Sequence, residues 1–242
     1  MSDVLLVHGA AHGAWCWHRV IPALEALGHR ARAIDLPSHG SDPTDPADVT
    51  LDAYADAILR ALRGPTLLVG HSMGGFPITA AAQRRPDDIL GLVYLCAYLP
   101  RPGMTLADMR RAGPRQPLAG SFLIDDSRRT FRFDGASAPA LFYHDCPADD
   151  VNLALSNLCP QPILPQETAI PDTSRAAALP RWYIRCTDDR VIPPEYQAEM
   201  ASGLPPDHVL TLDCGHSPFF AAPGALARHI DAISRGTPVN PA

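Results

Sequence analysis

The stretch VGHSMGG, Val69–Gly75, contains the pattern Gly-x-Ser-x-Gly. Five residues of this form recur by chance, so the pattern acquires chemical meaning only at a strand-to-helix turn. Its neighbours supply that context: the apolar run Thr66–Val69 leads in, and a helical pattern of small residues, Ile78 to Ala82, leads out. A sharp turn there lifts the Ser72 hydroxyl above the edge of a sheet. Gly70 and Gly74 are expected where the strand and helix backbones come too close for side chains. The helix that starts behind Ser72 aims its N-terminal partial positive charge at the oxygen that becomes negative during acyl attack.

On both sides of this turn, short apolar runs alternate with longer helical patterns. Strands are predicted at Val4–Val7, Ala31–Ile34, Thr66–Val69, Ile89–Leu95, Trp182–Arg185 and Val209–Leu212, with helices around Val20–Leu27, Leu51–Leu62, Met73–Gln83, Glu195–Ser202 and Gly224–Ile233. Such alternation implies a parallel sheet with crossover helices, and strands that are continuously apolar imply helices on both faces. Gly28 stands where a glycine closes the first helix. From Tyr98 to about Leu179 prolines crowd in and strand signals vanish. Residues 99–179 therefore read as an insertion between two parts of one core, 1–98 and 180–242. Leu118, Phe122, Leu141, Phe142, Tyr143, Leu153, Leu155 and Leu158 are expected to pack it into a small helical cap. From about Ser234 the chain reads as a frayed tail.

Composition excludes several classes. The 242 residues are 46% hydrophobic and 19% charged, which suits one globular α/β domain carrying an insertion. A net charge of −6 gives no electrostatic footprint for nucleic acid or an anionic membrane. No apolar run reaches eighteen residues, so no transmembrane helix is expected. Without a leader pattern at Met1, a cytoplasmic protein is expected. The six cysteines are scattered without a Cys-x-x-Cys pair and read as reduced, small buried hydrophobes rather than zinc ligands.

A serine hydroxyl needs a base, itself oriented by an acid, and on this turn the partners follow in the order Ser, Asp/Glu, His. RCTDDRVIPPE places Asp188 and Asp189 after the strand ending near Arg185, and LDCGHSPFF places His216 after the strand ending near Leu212. Loops at the carboxyl ends of parallel strands converge on one rim, so these groups can meet above Ser72. Of ten histidines only His216 has both the order and the loop position; His71 reads as structural, His208 as lying at a strand entrance and His229 on an exposed helix. Two backbone donors for the oxyanion are expected from Met73 and from Ala10 in the glycine-rich loop HGAAHGAW, His8–Trp15. His8 and His12 are four residues apart, but the loop and the lack of a third ligand argue against a metal.

Together HGAAHGAWCW, LPSHG (Leu36–Gly40), GHSMGG, CTDDRVIP and GHSPFF resemble the α/β-hydrolase superfamily. They are most similar to the branch of plant methylesterases, hydroxynitrile lyases and small bacterial pyrethroid-hydrolase-like carboxylesterases. The resemblance covers about residues 3–98 and 180–233. It implies an α/β-hydrolase fold, a mostly parallel sheet with helices on both faces and a helical cap inserted after the sixth strand. It favours Asp189 as the acid and leaves Asp188 as a substitute. Lyases of this branch carry a threonine after the first-strand histidine and a lysine after the catalytic one, where this chain has Gly9 and Ser217, so esterase chemistry is favoured.

The resulting expectation is a serine hydrolase of small hydrophobic carboxylic esters, with Ser72 as nucleophile, His216 as base and Asp189 as its orienting acid. No cofactor and no metal are expected, and the partner is a small-molecule ester, with a homodimer allowed. A lactonase or polyketide-tailoring hydrolase with the same three residues, and a non-catalytic binding homologue, are the alternatives. Ala11, His12, Trp15, Phe142 and His144 are the candidate pocket residues. Two arginine groups in the insertion, Arg110, Arg111 and Arg115, then Arg128, Arg129 and Arg132, read as a solvated face.

Overall fold

The computed structural model describes residues 1–127 and 129–236; Arg128 and the last six residues of the predicted tail lie outside the described residues. In chain order the elements are β1 (Asp3–Val7), α1 (Val20–Ala26), β2 (Arg30–Ile34), α2 (Leu51–Ala61), β3 (Thr66–His71), α3 (Gly75–Arg84) and β4 (Ile89–Leu95). Then come α4 (Leu106–Ala112), β5 (Phe122–Ile124), β6 (Thr130–Phe133), α5 (Ala138–Phe142), α6 (Ala148–Asn157), β7 (Gln161–Pro162) and α7 (Ser174–Ala177). The chain closes with β8 (Arg181–Cys186), α8 (Pro194–Ala201), β9 (Val209–Leu212), α9 (Pro218–Ala221) and α10 (Pro223–Arg235).

Six strands form one sheet in the order β2-β1-β3-β4-β8-β9, every pair parallel. The step from β1 to β2 runs one way along the sheet, and the steps to β3, β4 and β9 run the other way. Right-handed crossovers therefore put α1 on one face and α2, α3 and α8 on the opposite face. The packing agrees: α1 lies against α10, and α2 against α3. With both faces covered, β1 and β3 are buried at every position, which is why they read as unbroken apolar runs. Gly28 has φ +87° and its amide donates to the Glu25 carbonyl, closing α1 as expected.

The interruption of the sheet falls after β4, so along this chain it follows the fourth strand and not a sixth, because only four strands precede it. Nor is it purely helical. β5, β6 and β7 make a separate three-stranded antiparallel sheet, in which Phe122 on β5 packs on Phe131 and Phe133 of β6 with the three ring centroids 5.0 to 5.6 Å apart. These strands are two to four residues long, and β7 contains a proline, so period-two alternation has no length over which to appear. Among the described residues no helix is long and apolar enough to cross a membrane.

Candidate active site

Ser72, the loop His8–Trp15, Asp189 and His216 all follow carboxyl ends of parallel strands, namely β3, β1, β8 and β9. β3 runs into a single 3-10 turn, Ser72–Gly74, before α3 begins, so the predicted helix start at Met73 is a tighter turn. Ser72 sits at φ +54°, in the left-handed region that costs a residue with a Cβ about 1–3 kcal/mol unless its surroundings enforce it. They do. A Cβ on Gly70 would lie 2.5 Å from the Gly74 carbonyl oxygen, and one on Gly74 would lie 2.9 Å from the carbonyl oxygens of Val7 and His8. One on Gly75 would overlap the carbonyl of Tyr98, whose amide donates to the Ser72 carbonyl at 3.1 Å.

The three predicted side chains meet. The Ser72 hydroxyl oxygen lies 3.1 Å from Nε2 of His216, and Nδ1 of His216 lies 2.7 Å from Oδ2 of Asp189. With Nδ1–H donating to the carboxylate, Nε2 turns its lone pair toward the Ser72 hydroxyl, an arrangement able to take up a proton there. Asp189 is buried and fully engaged: its Oδ1 accepts from the amides of Val191 and Ile192, and its Oδ2 also accepts from Nε2 of Gln197. The neighbouring Asp188 is exposed, and its carboxylate faces His144 at 2.9 Å. The loop thus turns one carboxylate of the Asp-Asp pair inward, onto His216, and the other outward.

His71 stands behind this relay. It is buried, and its Nε2–H donates to the His216 carbonyl at 2.8 Å, while the Cys96 thiol reaches the same carbonyl at 3.6 Å. Burial holds the His71 pKa well below its ordinary value, so it serves as a neutral donor. Among the described residues His71, Cys96 and His216 are the one set of three His, Cys or acidic residues with ligand atoms mutually within 4.8 Å. His71 and Cys96 both donate to the His216 carbonyl, and Nδ1 of His216 is held by Asp189, so the set reads as a scaffold that fixes His216. His208 and His229, away from the site, donate to the carbonyls of Arg181 and Thr211.

The Ala10 amide donates to no protein acceptor among the described residues, and Met73 lies in the first turn before α3, where amides lack intrahelical partners. Both residues line the same cavity as Ser72 and His216. The loop carrying Ala10 is tied down around it. His8 donates from Nδ1 to the Gly9 carbonyl and accepts the Leu36 amide on Nε2; the Ala11 amide donates to the Gln161 side chain. Burial pushes the His12 pKa down to about 4; its Nδ1–H donates to the Ala10 carbonyl and its Nε2 accepts from the Tyr143 hydroxyl.

Of the five predicted pocket residues, His12 and Phe142 line the cavity. Ala11, Trp15 and His144 do not: Ala11 is buried on Gln161, Trp15 stacks between His12 and Phe220, and His144 pairs with Asp188. His144 and Asp145, whose carboxylate accepts the Gly215 amide at 2.6 Å, pin the insertion to the loops carrying Asp189 and His216. The sequence reading did not name as pocket residues Tyr98, Leu106, Arg110, Leu118, Phe122, Phe131, Phe133, Gln166 and Val191, which complete the walls. It also missed the buried amides Gln161 and Gln197, because a lone glutamine carries no pattern. At the two positions that separate lyases from esterases, a Cβ on Gly9 would crowd His71 and Ser72, and Ser217 is buried and carries no charge.

Comparison with known proteins agrees with this geometry. Residues 4–229 match the model described as "Alpha/beta hydrolase family". The chain is 34% identical to a pyrethroid hydrolase of Sphingobium wenxiniae, over 95% of this chain and 86% of that one, and 31% identical to methylesterase 2 of Arabidopsis thaliana, over 95% of each. The crystal structure of a pyrethroid hydrolase from Sphingobium faniae superposes with a TM-score of 0.87 at 31% identity, covering 97% of each chain. With that match over most of its length and the same fold, the chain belongs to the alpha/beta hydrolase family.

Proposed function

We propose that this chain is a carboxylesterase that cleaves small, largely hydrophobic esters through an acyl-enzyme, with residues 99–179 acting as the cap that selects them. The observation that carries the reading is the relay Ser72–His216–Asp189, opening into an apolar, aromatic-walled cavity. Ser72 Oγ attacks the ester carbonyl carbon while its proton passes to Nε2 of His216, and Asp189 stabilises the imidazolium that forms. The oxyanion accepts from the amides of Ala10 and Met73, contacts of a kind that contribute about 2.7–4 kcal/mol each. Collapse expels the alkoxide, which takes the proton from His216; water, deprotonated by the same imidazole, then attacks the acyl carbon and releases the acid and Ser72.

The ester-cleaving names of the relatives, pyrethroid hydrolase and methylesterase, support the bond class. The six cysteines are free thiols, which suits the proposed cytoplasmic setting. Hydrolysis of p-nitrophenyl butyrate by the protein and by Ser72→Ala tests the reading. The variant, folded by circular dichroism, should lose at least about a thousandfold in kcat. Equal rates would overturn it.

A further inference from the structure

The cap presents a cation to the catalytic cavity. Arg110 lies four residues after Leu106 on α4, so the two share a face, and both line the cavity that holds Ser72 and His216. α4 is fixed at its start by a reciprocal capping box, the Thr105 hydroxyl accepting the Asp108 amide and the Asp108 carboxylate accepting the Thr105 amide. The Arg110 guanidinium lies over the Phe122 ring, 4.3 Å from its centroid. This contact uses none of the N–H donors, and among the described residues no protein acceptor takes them.

The neighbouring arginines do not share this situation. Arg111 pairs with Asp108 at 2.6 Å, Arg115 makes a two-pronged pair with Glu195 at 2.6 and 2.9 Å, and Arg101 meets Glu199 at 2.8 Å. Among the described residues no carboxylate comes within 4.0 Å of the Arg110 guanidinium, and Glu167 acts on it only from further away. Its side chain is half-buried among Leu118, Phe122 and Phe131, and burying a charge is unfavourable unless something pairs with it. Arg110 also stands at the junction with an adjoining cleft, which shares Tyr98, Arg110, Leu118, Phe122 and Val191 with the catalytic cavity. An ester held at Ser72 can therefore extend across apolar walls and end at the guanidinium.

We propose that Arg110 is a specificity-determining residue that selects esters whose far end carries a carboxylate. The inference rests on Ser72 being the nucleophile of an ester hydrolase. A carboxylate completes the fork of donors and supplies the charge missing from the protein, whereas a neutral alkyl end leaves the half-buried guanidinium unpaired.

The test uses monomethyl esters of the straight dicarboxylic acids from succinate to suberate, each against the methyl ester of the matching monoamide, a neutral isostere. For the best chain length the protein should favour the carboxylate by about ten- to hundredfold in kcat/KM, the range of a charge-assisted contact. Arg110→Leu should collapse that ratio toward one, and Arg110→Lys, which keeps the charge but not the fork, should retain part of it. Calorimetric binding of the same pairs to Ser72→Ala reads the preference without turnover. A ratio near one in the parent protein, a ratio unchanged in Arg110→Leu, or no binding of any carboxylate ester overturns the proposal. If p-nitrophenyl butyrate is cleaved and the ratio ignores Arg110, the anion site alone fails. If nothing is cleaved but Ser72→Ala still binds carboxylates through Arg110, the esterase reading alone fails.

Discussion

The cavity has two walls built by different physics. Its floor comes from loops at the ends of β1, β3, β8 and β9, where the side chains of the relay are held by hydrogen bonds: Ser72 on His216, His216 on Asp189, and Asp189 on two amides and Gln197. Its roof comes from the insertion, where Leu106, Leu118, Phe122, Phe131, Phe133 and Phe142 meet by packing alone, and where Leu123, Ile124, Leu155 and Leu164 remain exposed. Hydrogen-bonded loops over a parallel sheet hold atoms to fractions of an ångström, as chemistry requires. A small sheet with an aromatic cluster holds a shape, as selection requires. Changes in the floor should act on kcat and acid stability, and changes in the roof on KM and substrate choice.

The largest expected effect separates two adjacent residues. Asp189→Asn, which disturbs the tautomer of His216, should lower kcat by about ten-thousandfold, while Asp188→Asn should stay within a few-fold. Similar losses in both would break the claim that the loop has sorted them. On the roof, Phe142→Ala removes a buried ring 4.6 Å from Phe133 and 5.7 Å from His216, at a cost of about 3–5 kcal/mol if the cavity does not collapse. Its KM for a hydrophobic ester should rise more than its kcat falls; steady-state kinetics beside urea titration would reveal the reverse.

Acid should attack the floor next. Burial holds His8 and His71 well below 6.5 and His12 at about 4, so in the folded state all three stay neutral while the unfolded chain takes up protons. The unfolded state then binds more protons, and stability, fully present above about pH 6.5, falls as pH drops toward 4. For His12 alone 6.5 − 4 is 2.5 units, or on the order of 3 kcal/mol at about 1.4 kcal/mol per unit. Denaturant midpoints from pH 7.5 to 4.5 check this, and a flat profile would contradict it. The smallest effect belongs to Gln197→Ala, which strips one donor from Asp189 and leaves the Cys186 amide without its acceptor. A stability loss of about 1–3 kcal/mol is expected, with kcat lowered and KM unmoved.

The same division governs what the sequence disclosed. The six strands of the main sheet were legible because a doubly covered strand must be apolar throughout, and the meeting of Ser72, Asp189 and His216 was legible because each follows such a strand in a fixed order. β5 to β7 were not legible, since they are two to four residues long and the contact of Phe122 on β5 with Phe131 and Phe133 on β6 exists only once the fold has brought them together. Arg110 read as surface because one arginine among several carries no sign of its environment. The signal that would have singled it out was local: a Thr105-to-Asp108 capping box starting a helix on which Leu106 and Arg110 share a face. Gln161, which holds the Ala11 amide, Tyr54 and His39 at once, had no such signal.

The central claim, that the turn at VGHSMGG presents an activated serine, is tested most directly by a fluorophosphonate probe followed by peptide mapping. The label should fall on the peptide containing Ser72 and be lost in His216→Ala. A folded protein that remains unlabelled, or that labels elsewhere, would contradict it.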